Sequence, residues 1–218
     1  MAARQWAQLN PEAFSREPLT LADYMSARLV ADPFGVRDCC LVTDGAAAVV
    51  MTRADRARDL CRRPAYLLAG AQATTHREIA SMADLTVTGL AEAGPRAYAQ
   101  AGVNANDIDV VQLYDAFTIN PILFLEDLGF CAKGEGGGFV EGGRIAPGGT
   151  LAVNTNGGGL SCVHPGMYGL FTIVEAVRQL SGDAGDRQVA DAKLAIAQGN
   201  GGELSHEALL ILGTEETL

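Results

Sequence analysis

The sequence has little that could bind a metal ion or a nucleic acid. It contains only three histidines, and none of its five cysteines stands at the C-x-x-C spacing of a zinc site. No run of Lys or Arg is longer than two residues, and the formal net charge is −10. A general surface for binding phosphate backbones needs clustered positive charge. We therefore expect neither a metal site nor a nucleic-acid partner.

The sequence also lacks long apolar runs. Its longest apolar stretches, GAAAVVM and ALLIL, are far shorter than a membrane-spanning helix, and the N-terminal segment has no apolar core of signal-peptide length. We expect no membrane span and a cytoplasmic location, where thiols stay reduced. Cys39, Cys40 and Cys61 are interpreted as small buried residues. Cys162 is less easily assigned because it lies two residues before His164.

What is present is an alternation of strand and helix patterns. The chain has 218 residues, of which 48% are hydrophobic and 19% charged, as in a globular protein of one large domain or one and a half smaller ones. Between the early helix and the closing strands, the order of elements predicts a layered α/β fold. The predicted elements are a helix over 19–31 begun by Thr20, a strand over 38–52, a helix over 53–63, a strand over 65–74, a helix over 89–103, a strand within 104–115, a helix over 116–130, a glycine-rich loop over 131–149, a strand over 150–161, a helix over 165–182 and two closing strands, 193–202 and 205–216.

The most distinctive segment is NTNGGGLSCVHPGMYG, residues 154–169. No Gly-Lys-Ser/Thr ending follows its glycines, so a phosphate-binding P-loop is excluded. Pro165 is predicted to begin a helix, which would place His164 near the positive helix end, while Gly157–Gly159 would let backbone approach a ligand closely. We interpret the segment as a corner that holds a carbonyl, with His164 as oxyanion donor or acid/base. The alternative for His164 is a hydrogen-bonded core histidine.

Four segments in this order resemble the thiolase superfamily. They are TDGAAAVV (43–50), LYDAF (113–117), HPG (164–166) and AQGNGG (197–202). The wider string GFVEGGRIAPGGTLAVNTNGGGLSCVHPGMYG is similar to the lipid-transfer, or sterol-carrier, branch. The resemblance runs from about Leu19 to the end of the chain and implies a thiolase-like layered α/β fold. In that fold residues 64–218 would form one complete βαβαβαββ half, the C-terminal domain, and residues 1–63 the end of the other half.

The resemblance also exposes departures from thiolase chemistry. Family members are about twice as long, so we expect either a fragment or a chain completed by another polypeptide, and the nucleophilic cysteine would lie in the missing part. Cys39 and Cys40 do not replace it, since they begin the strand that leads to DGAAA. Where Claisen-type thiolases carry an acid/base cysteine this chain has Ala197, and Tyr114 stands at the position of an asparagine. A standard thiolytic mechanism is therefore not expected.

Steroid side-chain aldolases of the lipid-transfer branch are similar at both tyrosine-bearing segments. The resemblance implies that Tyr114 and Tyr168 form a proton-transfer pair beside His164, although packing aromatics with bonded hydroxyls are the alternative. Asp115 is expected to cap the turn after its strand, with direct catalysis as the alternative. Asn154 and Asn156 are expected to donate side-chain bonds within the glycine corner or to stabilise its turns. The expected substrate-binding residues are Asn156, Gly158, Gly159, Gly199, Asn200 and Gly201.

The expected function is carbon–carbon cleavage of retro-aldol type on a lipid or steroid side-chain acyl-CoA. The alternatives are a divergent thiolase-type acyltransferase subunit and a non-catalytic binding half of a split thiolase-like complex. Coenzyme A would enter as part of the substrate, with no tightly bound cofactor. We expect a homo- or hetero-oligomer, since half of an interface would leave an apolar patch. The resemblance adds a zinc-ribbon/OB-fold acyl-CoA-binding protein as a partner.

Overall fold

The computed structural model describes residues 1–57, 59–60 and 63–218. Cys61 and part of the helix predicted over 53–63 lie outside these residues. The helices are α1 (Ala2–Gln8), α2 (Leu21–Met25), α3 (Ala54–Ala57), α4 (Leu90–Ala101), α5 (Ile119–Asp127), α6 (Gly136–Val140), α7 (Gly158–Ser161) and α8 (Gly169–Ser181). The strands are β1 (Leu29–Ala31), β2 (Phe34–Gly35), β3 (Tyr66–Thr74), β4 (Val110–Gln112), β5 (Ala152–Val153), β6 (Leu194–Gly201) and β7 (His206–Gly213).

Five strands form the central sheet in the order β3-β7-β6-β4-β5. Strand β4 is parallel to both β5 and β6, whereas β7 is antiparallel to β3 and β6. Helix α4 packs on β3 and β7, and α8 packs on β6 and β4. Each parallel pair is thus joined through a helical connection, as the sequence predicts for the complete α/β half.

The sheet is buried on both faces. On β6, Ile196 packs in a cluster with the apolar residues of α4 and α5, while its neighbours Ala195 and Ala197 pack in a second cluster with α8. Successive side chains of a strand point to opposite faces, so this division shows helices on both sides of the sheet. Trp6 of α1 belongs to the second cluster and donates from Nε1 to the carbonyl of Ile145 at 2.9 Å.

The predicted helix over 19–31 is only partly correct. Thr20 begins α2 with a capping box, accepting from the Asp23 backbone while the Asp23 carboxylate accepts from the Thr20 backbone. The helix ends at Met25, however, and residues 29–31 pair with Phe34–Gly35 in a small antiparallel sheet. Asp32 and Pro33 form the turn between these strands, which a continued helix would not allow.

The strand predicted over 38–52 is wrong. A single bridge joins Cys39 to Phe117, and no regular element follows through residue 52. The backbone N–H groups of Cys40, Leu41 and Thr43 donate instead to the carbonyls of Ala116, of Gly159 in α7 and of His164, three separate segments, so no ladder can form. Beyond them Val50 is 97% exposed. The apolar pattern that predicted a buried strand therefore lies on the surface of the described chain.

Two further predictions near the site need correction. The loop predicted over 131–149 contains helix α6 and a 3₁₀ turn at Glu141–Gly143. The helix predicted from Pro165 begins only at Gly169, because Gly166 adopts a left-handed φ of 81°, and it ends before Gly182 as expected. His164 therefore does not lie at the start of a helix. Within the described residues no helix has both the length and the apolar character of a membrane span.

Candidate active site

Three aromatic side chains meet where the carboxyl end of β4 approaches the start of α8. The ring centre of Tyr114 lies 5.3 Å from that of His164 and 5.7 Å from that of Tyr168, both edge to face. The His164 and Tyr168 rings lie 5.8 Å apart and are nearly parallel, at 16°. The structure thus brings together the three residues that the sequence selects as catalytic candidates.

Each ring is positioned by a different element. Tyr114 follows β4 by two residues, and Tyr168 is the residue that precedes α8. His164 lies between α7 and α8, where its backbone N–H donates to Thr43 Oγ1 at 3.0 Å. The Tyr114 hydroxyl donates to the carbonyl of Gly166 at 3.2 Å. The Thr43 hydroxyl and the Gly166 carbonyl therefore accept the two hydrogen bonds that hold His164 and Tyr114 in place.

The glycine run is shaped by close packing against three partners. Gly157 has φ 103°, and a Cβ there would lie 2.7 Å from the Cβ of Ala7 in α1. A Cβ on Gly158 would lie 2.1 Å from the Asp115 carboxylate, and one on Gly159 would lie 2.7 Å from the His164 ring. Since real Cβ atoms do not approach other atoms so closely, the run lets α1, Asp115 and His164 converge on α7.

Asp115 caps α7, not the helix that follows it in sequence. Its buried carboxylate accepts from the N–H of Gly159 at 2.6 Å and of Leu160 at 3.3 Å, while Thr118 precedes α5. The predicted capping role is thus correct in kind but wrong in its helix. Burial raises the pKa of Asp115 to about 7, against the lowering effect of these two bonds.

The two asparagines of the glycine corner use their side chains as acceptors. Asn154 Oδ1 accepts from the N–H of Leu113 at 2.7 Å, and Asn156 Oδ1 accepts from the N–H of Gly158 at 2.8 Å. Asn156 Oδ1 also accepts from the hydroxyl of Tyr168 at 3.1 Å. The Asn154 side chain also donates to the Asp115 carboxylate, an effect that lowers the pKa of Asp115, so the expected donation is met for Asn154. Asn156 accepts instead and orients a candidate catalytic residue.

Burial favours the neutral form of two of the rings, those of His164 and Tyr168. It lowers the pKa of His164, whose buried Nε2 has no hydrogen-bond partner in the described chain. Burial and then the nearby Asp115 carboxylate raise the pKa of Tyr168 well above its ordinary value. Burial therefore does not help Tyr168 act as a base. His164 can accept a proton, whereas Tyr168 keeps its own.

A cavity of about 820 Å³ adjoins this cluster. Tyr114 and two of the predicted substrate-binding residues, Asn200 and Gly201, line it together with Pro165, Met167 and Phe171. The described lining does not include the other predicted substrate-binding residues, Asn156, Gly158, Gly159 and Gly199. Asn156 bonds to the Tyr168 hydroxyl, and Gly158 and Gly159 lie against Asp115 and the His164 ring. Gly199 packs against α8, where a Cβ on Gly169 would come within 3.3 Å of the Gly199 Cα.

No thiol faces this cavity among the described residues. Ala197, at the position of the thiolase acid/base cysteine, is buried in β6. Cys162 is buried, and its pKa is raised to about 12 mainly by burial. Cys39 and Cys40 are half-buried, in keeping with small packing residues, and they line a different cavity. The described part of the chain also contains no cluster of side chains suited to hold a metal ion.

The sequence interpretation missed a buried polar chain behind the cluster. Gln198 Oε1 accepts from the N–H of Tyr114 at 2.8 Å, and Gln198 Nε2 donates to Glu207 Oε2 at 2.5 Å. Both side chains are fully buried. A glutamate inside the apolar strand SHEALLIL was the available signal, since buried carboxyl groups need partners.

Comparisons with known proteins agree with this architecture. The thiolase C-terminal domain-like family matches residues 71–214. The chain is 40% identical to the 17-hydroxy-3-oxo-4-pregnene-20-carboxyl-CoA lyase of Mycobacterium tuberculosis, covering 84% of this chain and 48% of the lyase. It is 39% identical to the acetyl-CoA acetyltransferase of Methanothermobacter thermautotrophicus, covering 90% of this chain and 52% of the relative. A steroid side-chain-cleaving aldolase of Thermomonospora curvata is 36% identical, covering 97% and 54%.

Solved structures give the same result. The structure described as Ltp2-ChsH2(DUF35) aldolase superposes with a TM-score of 0.88 at 32% identity, covering 100% of this chain and 57% of that chain. A monomeric SCP2-thiolase-like protein of Mycobacterium smegmatis shares the fold, with a TM-score of 0.71 at 20% identity, covering 98% of this chain and 45% of that one. The chain spans about half the length of the curated relatives it matches. It belongs to the thiolase C-terminal domain-like family.

Proposed function

We propose that this chain takes part in retro-aldol carbon–carbon cleavage of a bulky, hydrophobic β-hydroxyacyl-CoA, such as a lipid or steroid side-chain thioester. The observation that carries the proposal is the neutral imidazole of His164 between two phenols: its Nε2 has no partner among the described residues, and one phenol lines a cavity to which no described residue brings a thiol. Two relatives whose names describe steroid side-chain or carboxyl-CoA cleavage support it.

In the proposed reaction His164 Nε2 takes the proton of the β-hydroxyl, which requires the substrate to reach beyond the described cavity lining, since His164 is not part of it. The bond between the α and β carbons breaks, and its electron pair moves onto the thioester as an enolate. A phenol then donates a proton to the α carbon, and the proton on His164 returns to the phenolate. The products are a carbonyl compound and a shorter acyl-CoA, with no net oxidation and no covalent enzyme intermediate.

The two tyrosines have unequal positions for this role. Tyr114 lines the cavity, so its hydroxyl is the phenol nearest to a bound substrate. Tyr168 is fully buried, and its hydroxyl is committed to Asn156. Of the predicted proton-transfer pair, we propose that Tyr114 transfers the proton, while Tyr168 keeps its own and supports the site as a neutral hydrogen-bond donor that stacks on His164. Asn200 and Gly201 are proposed to contact the substrate, with Asn156, Gly158, Gly159 and Gly199 supporting its site.

We further propose that the chain works in an assembly. Ltp2-ChsH2(DUF35) aldolase is named for two components, and by analogy a zinc-ribbon/OB-fold acyl-CoA-binding protein is the proposed partner here. Coenzyme A would enter as part of the substrate. Apolar side chains such as Val42 and Val50, both almost fully exposed, are suited to be covered by a partner chain. Native mass spectrometry of the protein purified from its source would identify such a partner.

The proposal is tested by incubating the natively purified protein with bulky β-hydroxyacyl-CoA thioesters and following products by mass spectrometry. Tyr114→Phe should lower kcat by about 10²–10⁴-fold, the range for loss of general acid–base catalysis. Tyr66→Phe is the matched control, because the Tyr66 hydroxyl has no hydrogen-bond partner in the described chain. Full activity in both Tyr114→Phe and Tyr168→Phe would overturn the assigned roles.

A second candidate, a thiolase-type acyltransferase, draws on the acetyl-CoA acetyltransferase relative. Because the described cavity contains no thiol, the acyl group would have to be carried by a cysteine elsewhere. Recovery of a hydroxylamine-sensitive acyl thioester on the native assembly, without cleavage of the β-hydroxyacyl-CoA, would favour this candidate over the lyase. A protein that binds acyl-CoA but shows neither activity would instead be a non-catalytic binding half.

A further inference from the structure

The backbone that carries Tyr114 is held by side chains instead of by a strand ladder. Strand β4 ends at Gln112, which pairs with Ala197 of β6. Beyond that point the N–H of Leu113 donates to Asn154 Oδ1 at 2.7 Å, and the N–H of Tyr114 donates to Gln198 Oε1 at 2.8 Å. The position of the Tyr114 backbone therefore depends on how the Gln198 amide is oriented.

That orientation is set from β7. Because Gln198 Oε1 accepts from Tyr114, its Nε2 must face the other way, and it donates to Glu207 Oε2 at 2.5 Å. Gln198 and Glu207 are both inaccessible to solvent, so water does not compete for these bonds. A continuous chain of hydrogen bonds thus runs from the Glu207 carboxyl to the Tyr114 backbone.

The surroundings of Glu207 leave half of its carboxyl unsatisfied. Oε1 is buried without a partner in the described chain. Strand β3 presents Ala73 opposite it, and Gly89, just before α4, would bring a Cβ within 3.3 Å of its Cγ. The charged group that acts on it is Asp127 of α5, whose carboxylate accepts from Thr88 and pairs with Lys133. Burial, opposed by the Gln198 bond and aided by Asp127, raises the pKa of Glu207 to about 8.

We propose that Glu207 is a positioning residue for Tyr114: its neutral carboxyl fixes the Gln198 amide, and the amide fixes the Tyr114 backbone. The catalytic meaning of this link rests on the proposed function, but the link itself does not. Ionisation would place a charge on a buried group that has a single donor, and the carboxylate would draw Gln198 Nε2 closer or turn it. Either movement changes the bond that Gln198 makes to Tyr114.

The link is tested by nuclear magnetic resonance on the full chain, without any substrate. In the wild-type protein the amide shift of Tyr114 should follow, besides the titration of the adjacent Asp115 near pH 7, a transition near pH 8 together with the side-chain carboxyl carbon of Glu207. Glu207→Gln keeps an acceptor for Gln198 but cannot ionise, so this transition of Tyr114 should disappear. The amide of Leu113, held by Asn154, is the internal control and should not follow it.

Two results would overturn the proposal. One is a Glu207 carboxyl that titrates at the ordinary value near ~4.3. The other is a Tyr114 amide that ignores the titration of Glu207, or that titrates identically in Glu207→Gln. The wild-type titration alone decides the matter if the variant fails to fold.

Activity gives an independent readout. If the native assembly cleaves β-hydroxyacyl-CoA, kcat should fall above pH 8 in the wild type, and Glu207→Gln should remove that decline with little change in KM. An unchanged decline in the variant would contradict the positioning role. If no cleavage is found, the proposed function fails, while the resonance experiment still decides whether Glu207 controls the Tyr114 backbone.

Discussion

Replacing Gly159 by alanine tests whether the glycine run exists to admit the His164 ring. The backbone φ of Gly159 is not left-handed, so alanine introduces no backbone strain and the effect is steric alone. The new Cβ would lie 2.7 Å from His164 Cδ2, 3.1 Å from Asp115 Oδ1 and 3.2 Å from the Asp115 carbonyl oxygen. Because van der Waals contact begins near 3.4 Å, the ring must move by roughly 0.7 Å or more.

The magnitude follows from two opposed contributions. Overpacking of this kind costs about 1–3 kcal/mol. Alanine in the short helix α7 recovers up to about 1 kcal/mol relative to glycine. We expect Gly159→Ala to lower the free energy of unfolding by about 1–2 kcal/mol in urea denaturation, measured by circular dichroism. It should also shift the His164 ring resonances and reduce any cleavage activity.

The matched control is Gly137→Ala in α6. A Cβ there meets nothing within 4 Å, so this variant should leave the free energy of unfolding unchanged or raise it by up to about 1 kcal/mol. A Gly159→Ala protein as stable as the Gly137→Ala protein, with unshifted His164 resonances, would refute the steric argument. It would mean that the ring and the glycine run are not in contact.

Two other perturbations have clear expected outcomes. Arg187→Met should cost about 3–5 kcal/mol in urea denaturation because it leaves the buried Glu175 carboxylate without its paired guanidinium, whereas Arg178→Met, at an exposed pair with Glu12, should cost at most about 1. Asp115 has a folded-state pKa raised from 3.8 to about 7, so its contribution is complete below pH ~4 and lost by pH ~7. Asp115→Asn should therefore flatten a decline of up to about 4 kcal/mol across that window, and an unchanged slope in pH-dependent denaturation would contradict it.

The sequence predicted the central architecture because local patterns determine it. Apolar runs and turn residues placed β3, β4, β6 and β7, and left-handed Gly182 follows α8 as a glycine after a helix predicts. The helix predicted over 89–103 runs past left-handed Gly102, which ends α4. The same reasoning failed over 38–52, where an apolar pattern alone cannot state which strand would pair with it. Strand pairing is a tertiary property, and the N–H groups of residues 40, 41 and 43 bond to three separate segments of the chain instead of to one strand.

The site divides in the same way. His164 was selected from its place in the glycine segment, and Tyr114 and Tyr168 from the family resemblance; the structure brings the three rings within 6 Å of one another. The direction of the pKa shifts of His164 and Tyr168 could not be predicted, because it depends on burial and, for Tyr168, on where Asp115 points. Gln198 and Glu207 belong to neighbouring strands whose register no local pattern reports. The parts that were missed are therefore those determined by contacts between distant segments.

The glycine run shows why composition alone cannot assign a role to such a motif. Three consecutive glycines are compatible with a flexible hinge, a phosphate cradle or a packing point. Here each one faces a different side chain, from α1, from the loop after β4 and from the segment before α8. A hinge would leave these positions open, as Gly137 and Gly138 of α6 are. Because Gly157 touches Ala7 while Gly159 touches His164, the geometry of the candidate site depends on the N-terminal helix as well as on the sheet.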